Sequence, residues 1–568
     1  MILALSGFWL VFLSILAFVF IISLIIVFHE FGHFMLARKS GIKCYEFSIG
    51  MGPAIYKHQF KETLFCIRAI PLGGYVSMAG EQIADETLKD GDRVGLTIDD
   101  NKVIKIDLNP DNVCDIRGVV IEKDLLDVDE NGMYIIIADD DNVEHTYEIS
   151  ENAVYQLTAK SSLQVTPYKD TFDSKGLLPR FLTLFAGPLM NFVLAILLYF
   201  IYFCAVGVPN YSSNLIGSVG TGYVGETVFN SGDEIVSVNN KTVSSWNEFD
   251  VVLDEEYKNN NFNLTIKLKR NGETIIKEIS PNIIINSIGL SNLQVNDNTY
   301  PDSLASKAIV GNVALRYFND NKNGKYLMNN GDVITKMRVD TFVSKNNYKE
   351  GEVVLVNNFD DIVSNLKDVD VAKVYFEYYS VEKAKENPND PYVKLEDSLP
   401  LETWSNETLN NQRINKIDFK LGISPTYHFD FGGVFVSTFK GFWKDFTLIF
   451  RTLKLLIAPS GVRQVGVSDL SSVVGIFGMV QNIILGGILP LLSFAAMLSV
   501  NIGIMNLLPI PALDGGRIVF LGYELITGRK PNKKFESTLN NVFFILLMIL
   551  FIYVTFNDIK RIGFIFRI

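Results

Sequence analysis

The sequence has no excess of positive charge. Its 51 Lys and Arg face 63 Asp and Glu, a net charge of -12, which excludes the broad basic surface of a nucleic-acid-binding protein. Cysteine is scarce as well. Cys44, Cys66, Cys114 and Cys204 are scattered without any C-x-x-C pair, so neither a disulfide framework nor a thiolate metal site is implied. The N-terminus has no Lys/Arg n-region and no small-residue cleavage site, so the first apolar run is expected to be a retained helix rather than a signal peptide. Between Asp469 and Asp514 there is no charged residue at all.

Long apolar runs fill the space left by those absences. With 568 residues the chain is expected to hold several domains. Positive mean hydropathy beside 20% charged residues fits membrane segments joined to polar domains. The decisive run is Phe8 to Arg38, FWLVFLSILAFVFIISLIIVF followed by HEFGHFMLAR. Its apolar part is about the ~20 residues a helix needs to cross a bilayer. It leads without Pro or Gly into His29-Glu30-Phe31-Gly32-His33. Positions i and i+4 share a helix face, so His29 and His33 project together, with Glu30 beside them as candidate general base. On a soluble helix the same five residues could be a merely solvated face. Within a membrane segment ionisable groups are costly and suggest function.

Taken in order, residues 39–80 alternate apolar and polar positions with Gly/Pro punctuation, which predicts a membrane-associated β-hairpin region. Residues 81–175 are acidic, with short strand-like runs between Asp/Asn/Gly turns, and predict a β-rich insert. Asp127-Val128-Asp129-Glu130-Asn131-Gly132 matches half an EF-hand loop, but its twelfth position is Ala138. A hairpin turn is expected there rather than calcium. A second membrane helix is expected over residues 180–208, interrupted by Gly187, Pro188 and Asn191. Asn191 there reads equally well as a packing residue or a site residue. Residues 211–430 are polar and strand-rich. Two starts, Gly232-Asp233-Glu234-Ile235 and Gly331-Asp332-Val333-Ile334, form a loose internal repeat that resembles PDZ domains, giving modules 211–292 and 293–430. Residues 431–480 carry Lys440, Lys444, Arg451 and Lys454 among aromatics and predict an interfacial amphipathic helix and linker. Membrane helices three (486–516) and four (539–557) follow.

Charge bias then orients the chain. Arg517, Arg529, Lys530, Lys533 and Lys534 mark the loop between helices three and four as cytoplasmic, as Arg38, Lys39 and Lys43 do for the end of helix one. The linker after helix two, residues 209–228, has no Lys or Arg and is expected outside. Lys560, Arg561 and Arg567 at the external C-terminus depart mildly from this rule. The fold class expected is therefore a polytopic α-helical membrane protein of four transmembrane helices. It carries a membrane-associated β-hairpin, a β-rich cytosolic insert and two extracytoplasmic PDZ-like α/β domains.

A catalytic zinc takes three protein ligands and keeps one position open. His29 and His33 give two. Asp514, at the end of Asn506-Leu507-Leu508-Pro509-Ile510-Pro511-Ala512-Leu513-Asp514, is an isolated carboxylate that Pro509 and Pro511 would turn inward. Taken alone, Asp514 could simply cap a Pro-Gly turn.

HEFGH, FSIGMGP, IPLGGYV, FAGPLMNF and NLLPIPALDGG, in this order, closely resemble the site-2 protease family. The match is to the bacterial RIP metalloproteases, the branch of the regulator-of-sigma-E protease. The resemblance implies a zinc metalloendopeptidase with Zn²⁺ on His29, His33 and Asp514 and with Glu30 as catalytic base. It implies substrate-backbone contacts from Asn506 and Asn191. It also implies a membrane-re-entrant strand edge over Gly50–Met78, with Gly50, Gly52, Gly73 and Gly74, that clamps the substrate. Expected partners are the lipid bilayer and transmembrane substrates already cut outside, anti-sigma factors or signal-peptide remnants, at the bacterial inner (cytoplasmic) membrane. Two features depart from the family. The insert 81–175 stands where a short connection is usual, and Ser471-Ser472-Val473-Val474-Gly475-Ile476 replaces an S-G-P-x-G-I stretch without its proline. A non-catalytic scaffold is disfavoured by the four intact residues His29, Glu30, His33 and Asp514. An ion transporter is disfavoured by the lack of two pseudo-symmetric halves.

Overall fold

The computed structural model describes residues 7–80, 88–109, 112–127, 132–139, 141–158, 161–220, 223–259, 261–292, 308–313, 328–344, 347–404, 409, 415–457 and 470–565. The chain divides into two compact units, Met1–Tyr202 with Ser471–Ile568, and Phe203–Leu470.

The first unit begins with α1 (Gly7–Lys39), apolar throughout until its basic end at Arg38 and Lys39. A long hairpin follows, β1 (Cys44–Phe60) and β2 (Thr63–Met78). The first half of β1 is the middle of this small sheet. Phe47 faces Val76 on one side and Phe65 on the other, and Ile49 faces Gly74 and Ile67. The strand changes partner at Gly50 and Gly52, whose φ of +87° and +83° are costly for any residue with a Cβ. Arg68 pins that bend: it donates to the Gly52 carbonyl (2.7 Å) and Ser48 Oγ (2.7 Å) and pairs with Glu46 (2.5 Å).

The insert folds as β3 (Arg93–Asp99), β4 (Lys102–Asp107), β5 (Ile116–Asp124), β6 (Tyr134–Ala138), β7 (Glu144–Thr158) and β8 (Ser161–Gln164). A parallel pairing of β4 with β7 closes five of these strands into a ring, which leaves few open edges. Val94, Leu96, Val103, Ile106, Ile135, Ile137 and Tyr155 fill it. The EF-hand-like string joins β5 to β6, an antiparallel pair; its residues 128–131 lie outside the described part. Past the ring, two 3₁₀ turns at Tyr168–Asp170 and Phe172–Ser174 strap the insert to the hairpin base. Lys43 N–H donates to Asp170 O (2.9 Å) and Phe172 N–H to Ala79 O (2.8 Å). Then comes α2 (Leu177–Val206).

The second unit carries α3 (Trp246–Lys258), α4 (Phe359–Leu366), the short α5 (Val381–Glu386) and α6 (Phe431–Ile457). Here the loose Gly-Asp repeat becomes a repeated hydrogen-bond pattern. Gly232 N–H donates to Ile216 O and Ile216 N–H to Asp233 O, both 2.8 Å; Gly331 N–H donates to Val310 O (2.8 Å) and Val310 N–H to Asp332 O (2.9 Å). Both glycines have positive φ, +91° and +89°. Both Asp side chains accept the N–H of the residue three before, Asn230 and Asn329, at 2.8 Å. A strand and a capped helix follow each time, with Ser245 capping α3 and a capping box at Asn358 on α4.

The chain returns to the first unit as α7 (Val473–Ile483), α8 (Ile488–Leu507), α9 (Asp514–Thr527) and α10 (Lys533–Ile565). Among the described residues four helices are long and apolar enough to cross a membrane: Phe8–Lys39, Leu177–Val206, Ile488–Leu507 and Lys533–Lys560. The third is half buried within the protein, against 11% to 28% for the others. Several sequence boundaries shift. The third span stops at Leu507, and Asp514 opens a helix of its own. The fourth begins at Lys533, because Asn532 accepts from the Lys534 N–H at 2.9 Å and starts the helix early. The linker assigned up to residue 480 contains α7, whose start lacks the family's proline. Asp558 of α10, buried, accepts the Ser472 N–H (2.6 Å), and Ser472 Oγ caps Val474 N–H.

The twin Asp residues of the second unit titrate in opposite senses. Burial raises the Asp233 carboxyl, but the Arg270 guanidinium (2.8 Å) and the Asn230 N–H outweigh it and hold the group below the usual range. Asp332, fully buried, has two backbone N–H donors; burial still pushes it up to about 6. A folded pKa above the unfolded value means that the folded state gains stability as pH falls through 6 towards 4. A depressed one means stability lost only below the unfolded value, near ~3.9. Going from pH 7 to pH 5 should therefore stabilise the α4 module by about 1 kcal/mol and leave the α3 module unchanged. Hydrogen exchange at the two pH values, corrected for intrinsic rates, reads this directly. Reduced protection of residues 359–366 at pH 5 would contradict it.

Candidate metal centre

The site begins with how closely two membrane helices approach. An ideal Cβ on Gly32 of α1 would lie 2.2 Å from the Ala186 carbonyl of α2, and one on Gly187 would lie 2.2 Å from His33 Nε2. The two missing side chains let the helices touch, as small residues do in membrane interfaces. Pro188, inside α2, supplies no N–H to the preceding turn. The carbonyl left without that donor is Leu184's; the Thr183 carbonyl, one residue earlier, faces His33 Nδ1 at 2.8 Å. A carbonyl can only accept, so Nδ1 carries a proton, and in the neutral ring Nε2 then keeps its lone pair.

On α1 the 3.6-residue period brings His29 and His33 to one face, their rings 4.8 Å apart. The third group arrives from α9. The backbone turns sharply after Pro509, and Ala512 adopts φ +75°, unusual for a residue with a Cβ. Its N–H donates to Asn540 Oδ1 of α10 at 3.1 Å. Two glycines after Asp514 let this turn close, since a Cβ on Gly515 or Gly516 would press on the carbonyls of Leu508 and Ile510.

Asp514 Oδ2 lies 3.3 Å from His29 Nε2 and 3.3 Å from His33 Nε2, and those two nitrogens are 3.3 Å from each other. Ligands about 2.0–2.1 Å from a tetrahedral ion are spaced roughly 3.3–3.4 Å apart. The three atoms have the spacing of one face of such a tetrahedron, and among the described residues no fourth His, Cys, Asp or Glu joins them. Two imidazoles and one carboxylate are the donor set of a catalytic zinc site. The residues therefore fit the ion.

The remaining sequence-predicted residues fall around this face. Glu30, half-buried, has its Cγ 3.0 Å from where a Cβ on Gly74 would stand, so Gly74 of the hairpin abuts the candidate base. Gly73 has φ +82° and packs against Met51. Asn506 Nδ2 is 3.3 Å from His29 Nε2, the nitrogen that faces Asp514. Asn191 is fully buried and approaches the other nitrogen, Nδ1 of His29, at 3.2 Å. Gly50 and Gly52 belong to the bend that Arg68 pins. Sequence reasoning missed Thr183, Asn540 and Ser499. The Ser499 hydroxyl of α8 donates to the Asn191 carbonyl at 2.8 Å. None of these lies in a pattern with the ligands, so no sequence signal marks them. An ion pair of Arg180 with Glu524 (2.6 Å) ties α2 to α9. Beside it a polar cavity of about 330 Å³, lined also by Arg517, Lys533 and Asn540, adjoins the helix that carries Asp514.

The model of peptidase family M50 matches residues 17–550, which takes in α1, the hairpin and the Asp514 turn together. The chain belongs to peptidase family M50, the site-2 protease family. This M50 chain is similar to the zinc metalloproteases RasP of Oceanobacillus iheyensis and Bacillus licheniformis. It is 27% identical to each, over 554 and 556 residues, which cover 96% of this chain and 99% of each relative. RasP of Shouchella clausii is 27% identical over 549 residues, with the same shares covered. This M50 chain is a zinc metalloprotease, and its apolar helices make it a membrane protein.

The contact of Gly187 with His33 gives a sharp test of the geometry. In Gly187→Ala the added methyl displaces the imidazole, so zinc affinity should fall by more than about tenfold. Competition with a chelator measures it. Wild-type affinity in this variant would mean that the two helices do not meet as closely as described.

Proposed function

We propose that the protein is an intramembrane zinc endopeptidase that cuts transmembrane segments of membrane proteins after an earlier cut outside. The observation that carries this reading is the three-way 3.3 Å contact of His29, His33 and Asp514 among helices apolar enough to span a bilayer. His29, His33 and Asp514 hold Zn²⁺ in this reading. When bound, the ion supplies Lewis acidity to the scissile carbonyl and to water.

Glu30 takes the proton of the attacking water and delivers it to the leaving amine. Its place beside Gly74 puts the base next to the hairpin strand. A transmembrane helix bonds its own carbonyls, so the substrate must unwind before attack. An extended segment paired with the hairpin edge would regain its lost hydrogen bonds. Asn506, within reach of His29 Nε2 at 3.3 Å, is suited to hold the substrate backbone. The hairpin's apolar Ile55, Tyr56 and Phe60 are exposed, in keeping with a strand dipping into lipid. The ring-shaped insert carries none of the motif residues and takes no chemical role here.

The modules of residues 211–430, read as PDZ-like, bind extended chain ends and select substrates that were trimmed outside. Helix α6, with its Lys and aromatic residues, lies in the membrane interface. Similarity to bacterial RasP proteins supports placement in the bacterial cytoplasmic membrane, with anti-sigma factors or signal-peptide remnants as the substrate class.

Glu30→Gln separates chemistry from metal binding, because Glu30 is not a ligand in this arrangement. The variant should keep one zinc per chain and lose cleavage of a pre-trimmed single-span substrate by at least about 10²-fold. Zinc analysis and gel-based cleavage check both parts. A Glu30→Gln protein that cuts at the wild-type rate would remove Glu30 from the mechanism.

A further inference from the structure

We propose that Asn191 is a positioning residue of the metal centre: its side-chain oxygen accepts the Nδ1 proton of His29 and so holds the ring in the tautomer whose Nε2 is free for the ion. This deepens the zinc reading and rests on His29 being a ligand.

The starting point is which nitrogen of His29 faces the ligand triangle. It is Nε2, 3.3 Å from Asp514 Oδ2 and from His33 Nε2. A neutral imidazole carries one proton, so a free Nε2 requires the proton on Nδ1, and Nδ1 then needs an acceptor. His33 meets the same requirement through the Thr183 carbonyl at 2.8 Å. Behind His29 Nδ1 the group within hydrogen-bond reach is the Asn191 amide, at 3.2 Å.

Asn191 is fully buried on α2, and the Ser499 hydroxyl holds its backbone carbonyl at 2.8 Å. Its amide nitrogen is the atom that faces Nδ1, and its oxygen is buried with no hydrogen-bond partner among the described residues. With His29 as an Nε2 ligand, that orientation sets donor against donor. The two ends of an amide are nearly the same in shape, and a half-turn exchanges them. After it, the unpartnered oxygen accepts the Nδ1 proton. The two asparagines expected to touch substrate thus divide. Asn506 approaches Nε2, the nitrogen on the ligand triangle, whereas Asn191 approaches Nδ1 on the other side of the ring. An outer partner of this kind fixes ring orientation and raises metal affinity.

The test is the zinc dissociation constant of the full-length protein, by chelator competition, for wild type, Asn191→Leu and Asn191→Asp, with kcat and KM at saturating zinc. Leu keeps the bulk and removes the acceptor, so zinc should bind about 10- to 100-fold more weakly. Asp keeps an acceptor for the same proton, so its affinity should stay within about threefold of wild type. Wild-type zinc affinity in Asn191→Leu, with a raised KM, would overturn the proposal and return Asn191 to substrate binding. Equal losses in Leu and Asp would overturn it in favour of packing alone. If the Leu variant does not fold, Asn191→Ala is measured in its place by the same criterion. A wild-type protein that binds no zinc would instead overturn the metal reading on which the proposal rests.

Discussion

A carboxylate and two imidazoles, brought within 3.3 Å of one another among apolar helices, set the constraint on which the first unit depends. With both Nε2 atoms unprotonated, the oxygen of Asp514 would face two nitrogen lone pairs, so a proton or a cation must lie among them. Isolated polar groups are expensive among apolar helices. A divalent ion turns the same contact into mutual attraction. The packing around the site serves that approach. Gly32 and Gly187 let α1 and α2 touch, and the half-buried α8 brings the chain to the turn that presents Asp514.

That turn stores some of the cost. Ala512 sits at φ +75°, which costs an L-residue roughly 1–2 kcal/mol. Its N–H is satisfied by Asn540, so the fourth membrane helix steadies the turn delivering the third ligand. Two elements stand behind the ligands: α2 meets His33 with the Thr183 carbonyl, and α10 supports the turn that carries Asp514. His29 lies against the Asn191 amide. Gly74 lies against Glu30, and Asn506 within reach of His29 Nε2, so the hairpin and α8 both border the ligand triangle.

Features within one helical turn were legible from sequence. His29, Glu30 and His33 follow from spacing alone, as do the apolar spans. Asp514 was legible as an isolated carboxylate in a long uncharged stretch. That it opens its own helix was not, because the positive φ of Ala512 and the Asn540 hydrogen bond depend on a contact 28 positions away. The insert's strands could be read from alternation. Its ring closure could not, since the parallel pairing of Lys102–Asp107 with the β7 strand is long-range and leaves no local pattern. The repeat in the second unit was read as a short Gly-Asp string, and the hydrogen bonds around Ile216 and Val310 explain why that string recurs. At α7 the family's proline is missing, and the helix start is capped by Ser472, whose own N–H is held by Asp558 far along the chain.

Zinc K-edge X-ray absorption on the purified full-length protein tests the central claim most directly. The account requires nitrogen and oxygen neighbours alone at about 2.0–2.1 Å, four in number, with the multiple-scattering pattern of two imidazoles. A sulfur neighbour near ~2.3 Å, or a spectrum with fewer or more than two imidazoles, would contradict a centre built from His29, His33 and Asp514.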